Sequence, residues 1–130
     1  MNRRNTLKTL AAAAAGSAAI PADAAANPIQ LHVDLEVDMA KEKEMLNNFK
    51  TTFRPAISRQ PGFVDVKLMK LRKALMGNAP GSFNYRLLIS FQTEELRLKW
   101  VASDDHQKAW PTIEKNLKGA KLGVLLYDIA

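Results

Sequence analysis

The stretch "PIQLHVDLEVD", Pro28 to Asp38, alternates apolar and polar residues without a break. Ile29, Leu31, Val33, Leu35 and Val37 fall on one side; His32, Asp34, Glu36 and Asp38 fall on the other. A repeat of two is that of a strand with one face against a core, because successive side chains point to opposite faces. The next segment, "MAKEKEMLNNFKTTFRPAISRQ", changes period. Leu46, Phe49, Phe53 and Ile57 are spaced 3, 4 and 4 apart, an apolar helical stripe. Pro55 predicts a kink near its end, and "QPG" at Gln60 to Gly62 a stop.

The remainder repeats this grammar. "FVDVKLMKL" (Phe63 to Leu71) reads as a second strand, and "MGNAPGS" (Met76 to Ser82) as a turn-forming loop. "NYRLLISFQ" (Asn84 to Gln92) reads as a third strand with Tyr85, Leu87, Ile89 and Phe91 on its apolar face. Thr93 is placed to cap a helical region that reaches Leu117, broken at the Ser-Asp-Asp cluster of Ser103 to Asp105; Glu94 and Glu95 suit its first turn. Gly119 is expected to end it, before a last strand, "KLGVLLYDI" (Lys121 to Ile129). The order β-α-β-β-α-β predicts an α+β, ferredoxin-like subunit: an antiparallel four-stranded sheet with both helices on one face. Leu88 and Leu125, with Phe63 or Met69, then put apolar groups on a face that no helix of the chain covers, and such a face meets a partner.

The first 26 residues read as a removable export signal. A basic start (Arg3, Arg4, Lys8) precedes an apolar run from Leu10 to Ile20, with "ADA" or "AAA" as the cut after Ala24 or Ala26. The run is too short and too rich in Ala to span a bilayer. "NRRNTLK" resembles the twin-arginine signal, with Thr6 where Phe is usual; an ordinary secretory signal is the alternative. The expected product is periplasmic or secreted, a single domain over residues 27–130. Zero Cys means that no disulfide contributes. After the signal, sixteen Lys and Arg stand against twelve Asp and Glu, interspersed. The chain has no basic stripe interleaved with aromatics, which speaks against nucleic-acid binding. A domain of roughly 100 residues buries only about two-thirds of its extended-chain surface, so dimerisation helps it.

Two ordered motifs resemble the antibiotic biosynthesis monooxygenase group of dimeric α+β barrels. One is "F…F.P" (Phe49, Phe53, Pro55) ending at "QPGF" (Gln60 to Phe63). The other is "ISFQTEELRLKWVASDDHQKAW" (Ile89 to Trp110), a strand ending in an aromatic, an acidic helix start, a Trp and an "S..H" step. The resemblance spans about Pro28 to Ile129. It implies a homodimer whose sheets close into a barrel, with a pocket between sheet and helices in each subunit. It also implies a monooxygenase acting without a prosthetic group on a small aromatic, phenolic or quinol-type compound. The group also contains stress-induced barrels without established chemistry, so a non-catalytic protein that binds a small apolar ligand is the alternative.

Cofactor-free oxygenation requires a dry aromatic pocket, a base and donors that steady a developing anion. His106, with an ordinary pKa in the useful range, is the candidate base. Trp100, Tyr85 and Trp110 are candidate substrate-binding walls, and His32 is a candidate hydrogen-bonding residue within the barrel. Core packing alone also explains Trp100, four residues after Leu96, and capping explains His106 after Ser103. Haem-degrading members pair an Asn on the first strand with a Trp and a later axial His; here Trp100 fits, strand one has no Asn, and His106 lies one turn early. His32, Asp34 and Glu36 share a strand face and are chemically suited to a divalent metal. Residues two apart on one strand face stand about 7 Å apart, though, and rarely converge on one ion. No metal site is expected. "MGNAPG" lacks the following helix N-terminus that a phosphate needs.

Overall fold

The computed structural model describes residues 28–79 and 81–130; the signal read over residues 1–26 lies outside the described residues. Strand β1 (Ile29–Val37) carries the alternation into space: all five of its apolar residues are buried on one face. A short 3₁₀ turn leads into helix α1 (Glu42–Asn48), which passes through a π-helical turn (Phe49–Phe53) into helix α2 (Arg54–Ser58). Strands β2 (Phe63–Lys70) and β3 (Tyr85–Phe91) follow, then helices α3 (Glu94–Ala102) and α4 (Asp104–Glu114), and strand β4 (Leu117–Asp128). The strands pair antiparallel in the order β2-β3-β1-β4. This is the ferredoxin-like arrangement the element order predicts.

The π turn replaces the expected simple kink. The Arg54 amide donates to the Phe49 carbonyl, five residues back, immediately before Pro55, which has no amide to continue the ladder. Met45, Phe49, Phe53 and Ile57 are buried along the inner side, while Leu46 is only partly buried. Gly62, at φ +81°, turns the chain into β2, and α3 rests on it: a Cβ there would meet Leu96 Cδ1 at 2.4 Å.

Three expectations need correction. β4 starts at Leu117, four residues earlier than read, because the β1–β4 pairing resumes beyond an irregularity between Leu35 and Val37. Gly119 (φ +69°) therefore lies within this irregular part of the strand rather than ending the helix, which stops at Glu114. Phe63 belongs to the core side, edge-on to buried Phe91 with ring centroids 6.1 Å apart, because the register shifts between Phe63 and Asp65. Leu88, Leu125 and Met69 do lie on the face away from the helices, opposite the buried set of each strand, and Leu125 is 51% exposed. No described helix is long and apolar enough to cross a membrane.

Candidate functional site

A hollow of about 220 Å³ lies between the helix-covered sheet face and the α3–α4 pair. Leu31 and Val33 of β1, Leu87 and Ile89 of β3 and Leu122 and Val124 of β4 form its sheet side. Phe53 from the π turn, Arg97, Trp100 and Val101 from α3, and His106 and Trp110 from α4 form the rest. Ser103 sets the geometry of the two helices. It ends α3 and caps α4 in one residue: its Oγ accepts from the His106 amide at 3.1 Å and donates to the Trp100 carbonyl at 2.7 Å. Thr93 caps α3 as expected, accepting from the Leu96 amide at 3.1 Å. Asp105 at the start of α4 accepts from Gln60 Nε2 at 2.8 Å and pairs with Arg59, tying α4 to the turn after α2.

Four rings meet in this hollow. Phe53 is edge-on to Trp100 (centroids 5.9 Å) and tilted against Trp110 (6.4 Å). His106 is edge-on to Trp100 at 5.0 Å and nearly parallel to Trp110 at 6.5 Å. Trp100 is 3% exposed, so it is a core residue as well as a wall; both readings of it hold together. His106 Nδ1 is buried without a hydrogen-bond partner among the described residues. Burial pushes this imidazole below its ordinary value of 6.5, which favours the neutral, proton-accepting form.

Arg97 is the polar wall residue that sequence reasoning missed. Glu94 accepts from its Nε at 2.5 Å and from its Nη2 at 2.7 Å, and the pairing holds the guanidinium firmly charged. No described residue accepts from its remaining nitrogen, Nη1. The signal was available: Arg97 precedes Trp100 by three residues, so on a helix the two share a side.

The structure brings Trp100, His106 and Trp110 together and leaves Tyr85 and His32 elsewhere. Tyr85 faces the helices, but its hydroxyl donates to Glu42 Oε2 at 2.5 Å, and Lys70 Nζ reaches the same oxygen at 2.8 Å. Burial and then the Glu42 carboxylate push the Tyr85 pKa up. A second hollow, about 300 Å³ near the end of β2, includes Tyr85, Lys70, Arg86 and Asp34. Lys70 is matched there by Glu42 and Arg86 by Asp34 at 2.7 Å, while Arg72 on the same wall forms no ion pair among the described residues. His32 lies on the open sheet face, its ring centroid 4.5 Å from Tyr127 and its Nε2 3.0 Å from Gln30 Oε1. Its neighbours on that strand face are otherwise engaged, Asp34 by Arg86 and Glu36 by Ser82. Among the described residues no three metal-ligating side chains come together.

No family model and no curated protein matches the chain. Solved structures do. One is described as a putative antibiotic biosynthesis monooxygenase from Caulobacter crescentus: TM-score 0.66 and 15% identity over 80% of this chain and 91% of that one. A second, described in the same words and from Bordetella bronchiseptica, has TM-score 0.66 and 17% identity over 80% and 98%. A dimeric ferredoxin-like protein of unknown function from Jannaschia has TM-score 0.63 and 14% identity over 79% and 98%. At such identities the likeness is one of fold.

Proposed function

We propose that this chain, which has the fold of the antibiotic biosynthesis monooxygenases, uses the hollow beneath α3 and α4 as a cofactor-independent oxygenase site for a phenol or quinol. The observation that carries this reading is the pairing of His106, with its unpartnered buried Nδ1, and the Arg97 guanidinium on a wall that is otherwise apolar. Size narrows the ligand. The hollow is larger than the ~150 Å³ cavity that admits benzene. It is smaller than the ~300 Å³ at which sites for drug-sized ligands begin. One or two rings fit that interval.

In this reading neutral His106 takes a proton from the bound substrate, and Arg97 Nη1 steadies the anion left behind. Low local dielectric strengthens that contact. The electron-rich anion then reduces O₂, forming a new C–O bond at a ring carbon that carries two hydrogens in the keto tautomer. Loss of water from the hydroperoxide leaves a carbonyl. One oxygen atom ends in the product, the other in water, and both hydrogens leave that carbon.

The protein is a homodimer in this reading, with the open sheet faces closing on each other. Exposed Met69, Leu125 and Tyr127 on that face support it, as does the dimeric description of the Jannaschia neighbour. With a leader over residues 1–26 it acts in the periplasm or outside the cell.

An oxygen-uptake screen against hydroquinones and one- or two-ring phenols, without added metal or flavin, tests the reading. Turnover is expected, with His106→Gln lowering kcat roughly 100-fold or more. The acid limb of kcat/KM should fall below pH 6.5 in the wild type, since burial lowers the imidazole pKa, and vanish in the variant. Unchanged kinetics for His106→Gln would remove it as the base. Binding of these phenols with no oxygen uptake would instead establish the ligand-binding alternative, which the tie of Arg97 to Glu94 favours.

A further inference from the structure

The connection between β2 and β3, residues 71–84, is fourteen residues long, and its described residues form no helix or strand. Connections of that length inside a small domain usually serve a function. The loop is closed at its base by the Leu71 amide donating to the Asn84 carbonyl at 2.8 Å. Leu75 is 85% exposed and Met76 94%, whereas every other large apolar side chain among the described residues is at most 54% exposed. Gly77 follows at φ +72°, and a Cβ built there meets no atom within 4 Å, so the tip stands clear of the fold.

Along the chain the charge on either side of this apolar tip is of one sign. From Val66 to Thr93 the chain contains no Asp or Glu. Lys67 and Lys70 are answered by Asp65 and Glu42, while Arg72 and Lys73 form no ion pair among the described residues. Two protruding apolar residues beside two unpaired cations offer far less than the ~800 Å² per partner that a stable protein interface buries. An anionic bilayer asks for less: a small apolar wedge and cations within a Debye length of the phosphates.

We propose that the β2–β3 arm docks the protein on an anionic lipid surface. Leu75 and Met76 enter the boundary between headgroups and acyl chains, and Arg72 and Lys73 lie at the lipid phosphates. Neither signal is strong alone, so the attachment is reversible and salt-sensitive.

The absence of Cys allows a direct test. Met76→Cys in the full chain takes a single polarity-sensitive fluorophore and reports on the arm itself, whatever the N-terminal segment does. With phosphatidylglycerol vesicles its emission should rise several-fold and shift to the blue. It should do neither with phosphatidylcholine vesicles, nor in about 1 M salt, where the Debye length is ~3 Å. Adding Arg72→Gln and Lys73→Gln should weaken the vesicle titration roughly thirtyfold, from about 1 kcal/mol per cation. Three results would each overturn the proposal: no emission change although vesicles bind, an equal change with both lipids, or a change on concentrating the protein without vesicles. The last would assign the tip to a second copy of the chain.

Discussion

The two faces of the sheet solve the same problem in different ways. On the helix side Leu35, Leu87 and Phe91 are covered by α1, α2 and α4 and by the aromatic group around Trp100. On the open side the same strands present Leu88, Leu125, Tyr127 and His32, with Asp34 and Arg86 paired among them. Away from the edge strand β4 the helix side is apolar and close-packed, so its few polar groups stand out: His106 and Arg97 at the hollow. The open side mixes apolar and charged groups, as an interface does and a core does not. A candidate site, in this molecule, is read most easily where polar groups are rare.

That contrast can be broken from the helix side first. Phe53→Ala removes the ring that touches both tryptophans and should cost about 3–5 kcal/mol, read as a lower denaturation midpoint. A loss below about 1 kcal/mol would show the hollow to be loosely packed rather than part of the core. Next in size is Gly62→Ala. The left-handed backbone and the collision with Leu96 should together cost about 2–3 kcal/mol, through tilting of α3 away from the β2 turn. The same midpoint measures it, and a neutral outcome would mean that α3 is free to shift. The smallest effect on folding belongs to the open side. Leu125→Ser, at a half-exposed position, should move the single chain's stability by less than about 0.5 kcal/mol. Light scattering at micromolar concentration should nonetheless show a halved mass, and an unchanged mass would place any partner elsewhere.

Acidification sharpens the contrast further. The lowered pKa of His106 means that the unfolded chain binds its proton more readily. Stability from this group is therefore fully present above the ordinary imidazole pKa and is lost as pH falls through it towards the lower folded value. His32 on the open face is lowered as well, by burial and then by Arg86, so both histidines act in the same direction.

Most of the fold was legible because its periods are clean. The alternation of β1, the stripe through Phe49, Phe53 and Ile57, and the cap residues Thr93 and Ser103 all depend on neighbours within a few positions. The candidate site was legible in part, for the same reason: Trp100, His106 and Trp110 lie at helical spacings around one break. Arg97 was passed over because a charged residue beside Glu94 looks like a solvated surface pair, and only packing shows which way the helix turns it. Tyr85 reads correctly as core-facing, yet a face does not say which end of the sheet a pocket occupies.

Local periodicity therefore determined the element order, the sheet class and the buried side of β1 and β3, since these rest on backbone geometry that repeats every two or 3.6 residues. Tertiary structure decided the rest. The π turn before Pro55, the early start of β4, the reversal of Phe63 and the meeting of Phe53, Arg97 and His106 all depend on strand register and on helices far apart in the chain. Distances between such segments are set by packing across the whole core, and no local pattern encodes them.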